Sequence, residues 1–347
     1  YQCDWSSDVC SSDLTVAFKK NNISVGSSLS IPTSSPIFFL VGARNTGAIR
    51  VNFGQFPFAY PQTNYKTLNT ANLPTPTILK GSSYFDTKLY TGNGSTQTIS
   101  GLGFSPDLVW LKQRATGSTS HALYDIIRGG TLALQSDAAA AEQNLGSGNS
   151  VTFNSDGFTL GADTAGWTNY PSRLYVGWTW DAGSSTVTNT QGSITSTVRA
   201  NASAGFSIVS WTGTGSGSAT IGHGLGVKPS IIIVKKRNSA GPWYTQHGAL
   251  GAGQIAYLNT TDAFGATSGW NSTEPTSTVF SLGTAINDAN TYVAYCWAPL
   301  VGYSSFGSYT GNGSADGPMC WCGFKPRFIL QKRSDSIGSW QMWDTAR

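Results

Sequence analysis

The sequence has little charge. Asp, Glu, Lys and Arg make up 11% of its 347 residues, against roughly 25% in an average soluble protein. Its only Glu residues are Glu142 and Glu274, and His occurs three times. A glycosidase needs two carboxylates flanking the scissile bond, and these two Glu lie far apart, each without a matching partner. The Asp residues fall in turns such as Asp156-Gly157 and Asp316-Gly317, where turn chemistry accounts for them. No His stands beside a nucleophile, and there is no Gly-x-Ser-x-Gly elbow. Gly-Lys-Ser and Gly-Lys-Thr, one of which a phosphate loop requires, do not occur. These absences predict a protein that is not an enzyme and uses no cofactor.

Other absences narrow the partners. The formal net charge is +4, and basic residues come in scattered pairs such as Lys19-Lys20 and Lys332-Arg333. A nucleic-acid-binding face needs a concentrated basic patch, so no nucleic-acid partner is expected. No apolar run approaches the ~18–20 residues that span a bilayer as a helix, so no membrane insertion is expected. Five Cys do not make a disulfide framework. Cys320 and Cys322 would share one face of a strand. With no second Cys or His pair nearby they make a poor zinc site, so they are expected as small buried side chains and no metal is expected.

What the chain does have is aromatic area and turns. Trp 12, Tyr 14 and Phe 16 supply enough apolar surface for several cores. Gly 41, with abundant Ser, Thr and Asn, points to short strands joined by tight turns. The length exceeds one typical domain. The expectation is a folded, all-β chain covered in neutral polar groups.

The strongest internal signal is repetition. Tyr90-Thr91-Gly92-Asn93-Gly94-Ser95 is followed by Gly103-Phe104-Ser105-Pro106-Asp107-Leu108-Val109-Trp110-Leu111-Lys112. Trp211-Thr212-Gly213-Thr214-Gly215-Ser216 precedes Gly226-Val227-Lys228-Pro229-Ser230-Ile231-Ile232-Ile233-Val234-Lys235. A third version runs from Tyr309-Thr310-Gly311-Asn312-Gly313-Ser314 to Gly323-Phe324-Lys325-Pro326-Arg327-Phe328-Ile329-Leu330-Gln331-Lys332. Tyr175-Val176-Gly177-Trp178-Thr179-Trp180 likewise matches Tyr292-Val293-Ala294-Tyr295-Cys296-Trp297. The copies recur roughly a hundred residues apart, enough for a core each.

The physics of each piece is β. An aromatic before Thr-Gly-Asn-Gly is a strand entering a turn that needs positive φ. Pro fits the first strand position, where no ladder donor is required. The Lys ending each run can lay its stem on the core and keep its charge in water. Only Ala138-Ala139-Ala140-Ala141-Glu142 suggests a helical turn. The predicted architecture is a tandem of concanavalin- or jelly-roll-like β-sandwiches: residues 89–183, residues 206–305 and a shortened third copy at 308–347.

The N-terminal part reads differently. Residues 3–14 show no basic start, apolar core or cleavage site. The string resembles the in-frame translation of a short-read sequencing adapter. Residues 1–14 are therefore set aside as not native, and coding sequence is expected to be missing ahead of Thr15, as it is beyond the third copy. Residues 15–60 include Val51-Asn52-Phe53-Gly54-Gln55-Phe56-Pro57-Phe58 and resemble the closing strands of a SPRY-type sandwich, with Asn22 where Gly is usual. Such domains bind ligands through loops at one end. This remnant holds few of those loops, so no binding residue carries over, and orphan strands with unpaired edges predict loose packing. Residues 61–88, with Pro61, Pro74 and Pro76, read as a connector.

Residues 62–347, with the SPRY-like segment ahead of them, resemble an uncharacterised repeat domain of bacteriophage virion and tail-associated proteins. The resemblance implies a virion, extracellular protein whose partners are other tail proteins and a host-surface glycan. Phage fibres of this kind are often homotrimers. The alternative is a secreted bacterial adhesin, or a carbohydrate-binding array attached to a hydrolase.

Two constellations stand out. Tyr124-Asp125-Ile126-Ile127-Arg128 and Trp343-Asp344-Thr345-Ala346-Arg347 repeat an Asp and Arg three apart, with His247 and Leu250 in their place in the second copy. Lys112, Asp125 and Arg128 are expected to tie adjacent strands as an ion network. For ligand binding, Trp243 and Trp340 follow Gly-containing turns at matching positions, near His247 and Asp344. Exposed rings there would stack on sugar faces while the polar neighbours bond hydroxyls.

Overall fold

The computed structural model describes residues 76–114, 119–163 and 165–347 in full, together with the backbone of four strands near the N-terminus. The chain forms two compact units, Tyr1–Thr75 and Pro76–Arg347. In the first, β2 (Leu14–Lys20) pairs antiparallel with β1 (Gln2–Trp5), β3 (Ile23–Ser24) and β4 (Leu29–Ile31). The SPRY-like motif at residues 51–58, the packing expected of residues 15–60 and most of the connector lie outside the described residues.

The second unit is all-β, with 21 strands and only three single 3₁₀ turns among its described residues. Its strands pair antiparallel into sandwiches. The first sheet takes β5 (Phe85–Thr91), β7 (Leu108–Gln113), β8 (Ala122–Asp125) and β13 (Leu174–Trp180) in the order β5-β13-β7-β8. Strand β5 begins at Phe85, so the connector ends before residue 88. Facing this sheet are β6 (Gln97–Ser100), β11 (Val151–Asn154) and β12 (Gly157–Leu160), in the order β11-β12-β6. Short strands β9 (Leu132–Ala133) and β10 (Gln143–Asn144) pair at the side.

The same order recurs in the second stretch. Strands β16 (Phe206–Thr212), β18 (Ile231–Lys236), β19 (Trp243–His247) and β23 (Thr291–Trp297) run β16-β23-β18-β19. This sheet is extended by the hairpin β14 (Thr186–Asn189) and β15 (Ser196–Asn201), which the repeat pattern did not foretell. On its other side it continues through β20 (Gln254–Tyr257) and β21 (Gly265–Ala266) to make eight strands. Opposite lie β17 (Ala219–Gly222) and β22 (Val279–Leu282). The third stretch adds one hairpin, β24 (Phe328–Gln331) and β25 (Gln341–Asp344).

Alternation along the strands builds three cores. Val109, Leu111, Tyr124 and Tyr175 face Ile99, Phe158 and Leu160 inside the first sandwich. Val209, Trp211, Ile232 and Val234 face Ile221, Phe280 and Leu282 inside the second. The opposite faces of the same strands meet in a third core. There Leu108, Trp110, Trp178 and Trp180 pack with Ile231, Ile233 and Tyr295, joined by Phe328, Trp340 and Met342 of the hairpin. Strands β7 and β18 are therefore buried on both faces, which is why they read as unbroken apolar runs.

Three expectations are corrected. Residues 138–142 are not helical, because their backbone is bonded to the second stretch instead. Cys320 is exposed and Cys322 half-buried, since residues 309–324 belong to no strand. Lys235 does not keep its amine in water. It is fully buried, and Nζ donates to the carbonyls of Gly241 at 2.9 Å and Ala139 at 3.3 Å, which replace the water it loses. Burial, and then Lys236, lowers it to about 8.

Candidate functional site

The ionisable groups converge where the sheets meet. Asp125 ends β8, and its Oδ1 accepts the backbone N–H of Ile127 and Arg128 at 3.1 and 2.9 Å, closing the turn. Its Oδ2 accepts Arg128 Nε at 2.5 Å and the hydroxyl of Tyr295, from the second stretch, at 2.7 Å. Arg128 also donates to the Leu123 and Leu132 carbonyls at 3.0 and 2.9 Å and to Glu142 at 3.0 Å. Glu142 in turn holds Arg237 through bonds of 3.0 and 2.9 Å. Two carboxylates face two guanidiniums, so no net charge is buried. Burial pulls the Arg128 pKa down, but Asp125, Tyr295 and Glu142 outweigh it and hold it raised. Burial raises Glu142, while Arg237 and Arg128 hold it below its usual range.

The expected pairing of Asp125 with Arg128 is present, but Lys112 is not part of it. Its Nζ donates to the Thr119 carbonyl, at the opposite end of β7 from Leu108, which is the residue paired with Asp125. The network's other members, Glu142, Arg237 and Tyr295, were missed. Tyr295 could have been found, because it and Trp178 hold one position of the repeated closing strand and both carry a donor.

Trp178 makes the corresponding contact. Its Nε1 donates to Asp344 Oδ2 at 3.0 Å, Arg347 Nε reaches the same oxygen at 2.7 Å, and the guanidinium lies 5.2 Å over the indole. The first stretch thus caps the second stretch's aromatic, and the third caps the first's. His247 stands in the Asp position of the second stretch, paired with Ile231 as Asp125 is with Leu108 and Asp344 with Phe328. Its Nδ1 accepts from Ala249 N–H.

A second set of bonds repeats residue for residue. Between the second and first stretches, Trp243 Nε1 donates to the Gln135 carbonyl at 2.7 Å and Gly241 N–H to the Ala139 carbonyl at 2.8 Å. Glu142 N–H donates to the Arg237 carbonyl at 2.7 Å, and Lys235 Nζ reaches Ala139 as described. Between the third and second, Trp340 Nε1 donates to the Tyr257 carbonyl at 3.0 Å and Gly338 N–H to the Thr261 carbonyl at 2.9 Å. Phe264 N–H donates to the Ser334 carbonyl at 3.0 Å, and Lys332 Nζ to Thr261 at 3.3 Å. One four-bond seam is used twice.

These bonds correct the ligand-site expectation for Trp243. It is 0% exposed and its only polar atom is engaged, so it offers no sugar platform. Trp340 is half-buried, and with Trp178 it lines an open pocket of about 390 Å³, with Lys112, Gln113, Arg114, His121, Met342 and Arg347 on its other walls. Asp344 is bonded to two of the lining residues, Trp178 and Arg347, but does not itself line the pocket, and neither do Trp243 and His247. His121 Nδ1 accepts the Trp110 indole N–H at 2.8 Å, and burial lowers its pKa to about 4. The ring is therefore neutral, with its proton on Nε2.

A family model matches residues 80–347. The chain belongs to the family described as Domain of unknown function (DUF7483). The DUF7483 match opens at Lys80, just ahead of β5, and runs through β25, so both seams and the pocket lie inside it. No curated protein and no solved structure matches the chain. Among the described residues no three His, Cys, Asp or Glu side chains cluster as metal ligands, and no helix is long and apolar enough to cross a membrane.

Proposed function

We propose that this DUF7483 chain is a non-catalytic structural and adhesion component of an extracellular particle, a bacteriophage tail or fibre, that touches host-surface glycans through loops at the ends of its sandwiches. The doubled seam carries this reading. The ionisable groups of this joint, Asp125, Arg128, Glu142 and Arg237, are engaged with one another and hold strands together. Stiffness obtained from repeated units is what an extended surface appendage requires.

With Trp243 buried, the glycan contact moves to Tyr170. This ring is 36% exposed and has the Arg173 guanidinium 4.3 Å over it. It sits in a loop anchored by Asn169, whose side chain bonds the Asn93 and Ser95 backbone of the Thr-Gly-Asn-Gly turn. Two measurements test the proposal. Mass spectrometry of density-purified virus particles is expected to recover peptides of this chain. Recovery only from the secreted fraction of bacteria would replace the particle reading with the adhesin. Binding of the purified chain to a glycan array should fall at least tenfold in Tyr170→Ala, and unchanged binding would remove this loop from the contact.

A further inference from the structure

The pocket lies where a third seam would fall. Thr119 holds the place of Gly241, because each carbonyl accepts from the Lys at the second-last position of its strand, Lys112 or Lys235. His121 then stands where Trp243 and Trp340 stand in the two formed seams. Its accepted bond from Trp110 leaves Nε2–H as a donor, so an imidazole presents what the indoles present. Lys112 corresponds to Lys235 and Lys332, and Arg114 to Arg237 and Ser334, whose carbonyls accept in the formed seams. The seams also close in one sense. The second stretch's Trp bonds the first and the third's bonds the second, while the Asp-x-x-Arg turn of the first caps the second and that of the third caps the first. These directions fit a ring of three.

We infer that the pocket is the docking groove for one extended segment of the third copy's own kind, which binds through its main chain as residues 135–142 and 257–264 do in the formed seams. The segment supplies a carbonyl to His121 Nε2–H, a second carbonyl four residues on to Lys112 Nζ and Thr119 N–H, and an N–H three further on to the Arg114 carbonyl. This follows from the spacing of Gln135, Ala139 and Glu142 and of Tyr257, Thr261 and Phe264. Recognition by main-chain groups makes the site tolerant of side-chain sequence. The inference concerns assembly of the fold and stands apart from glycan contact.

The test extends the full chain. Arg347 holds the place of Leu250, so residues 251–300 joined directly after Arg347 continue the third copy in register. Hydrogen exchange at Thr119, His121 and β24 is expected to slow at least tenfold, in a protein that sediments as a monomer. Protection within the added segment without protection at Thr119 and His121 would overturn the inference. A second measurement covers failure of the fusion to fold. A peptide of residues 254–264 added to the unextended chain should give a saturable change in Trp178 and Trp340 fluorescence, lost in the Lys112→Ala, His121→Ala double variant. A flat titration, or one the double variant leaves unaltered, would overturn the inference as well.

Discussion

A carboxylate removed from water must have its lone pairs occupied, and Asp125 has four donors for its two oxygens. Asp125→Ala leaves one carboxylate, Glu142, facing two guanidiniums, and strips the Tyr295 hydroxyl of its acceptor. Breaking a buried pair by removing one partner costs about 3–5 kcal/mol, and chemical denaturation of the variant should show a loss of that size. Asp and Arg three apart were legible in the sequence as a pair. Tyr295 was legible only as the match of Trp178 in the repeated closing strand; that Asp125 is its partner was not, because the two come from different stretches of the chain and an aromatic in an apolar strand reads as packing. Lys112 lies at the other end of β7 from Asp125 and bonds the Thr119 carbonyl; sequence proximity alone places it in the network.

His121 gives a pH signature. Burial holds the folded imidazole down at about 4, with Asp137 pulling it up and Lys112 and Arg347 pushing it further down. An unfolded His takes its proton near pH ~6.5, so the folded state binds fewer protons between these values. The stability this residue contributes is complete above pH ~6.5 and falls as pH drops towards 4, by about 2 kcal/mol at pH 5. Denaturant midpoints at pH 7.5 and 5.0 should therefore separate less in His121→Gln than in the parent. Equal separation would show that the ring is not held neutral.

The elements owe their ends to a few backbone demands. Gly92 and Gly213 follow the Thr that closes the matching strands β5 and β16, and a Cβ would lie 2.2 Å from the Tyr170 carbonyl oxygen at one and 2.0 Å from that of Asp288 at the other. Ala at either position forces two main chains apart, an overpacking that costs about 1–3 kcal/mol. Thermal melts of Gly92→Ala and Gly213→Ala should drop by similar amounts, since the two sites are copies. The Thr-Gly-Asn-Gly turns were legible because their chemistry is local: Gly94, Gly215 and Gly313 all take positive φ. Hairpin β14–β15 was not, since its residues alternate with no large apolar face and it belongs to one copy alone. The exposure of Cys320 was also illegible, because burial depends on neighbours that the local pattern does not name.

For the second unit as a whole, the consequential feature is the core between the sandwiches. Trp178 and Trp180 from one stretch and Tyr295 and Ile233 from the next are buried together, so neither sandwich keeps its outer face dry alone. Residues 76–347 should unfold in one transition, with calorimetric and van't Hoff enthalpies agreeing for this unit. Two resolved transitions within it would mean that each sandwich is stable on its own. Trp243→Ala opens a cavity in that core and removes a seam bond, and should cost about 3–5 kcal/mol by chemical denaturation. The recurring motifs were legible along the chain, yet the pattern did not say how the stretches that bear them pack together. That they share a core follows from β7 and β18 being apolar on both faces, a sign the sequence carried but did not direct to a partner.

The seam's acceptors are main-chain carbonyls, and its donors include a Trp, a Lys and a backbone N–H. A gene encoding such units can lose or gain one by unequal recombination, or exchange one with a relative, without matched substitutions at the seam's carbonyls; the Asp125–Tyr295 and Glu142–Arg237 contacts are what would still have to match. Surface loops are then free to diversify under selection while the architecture is inherited intact.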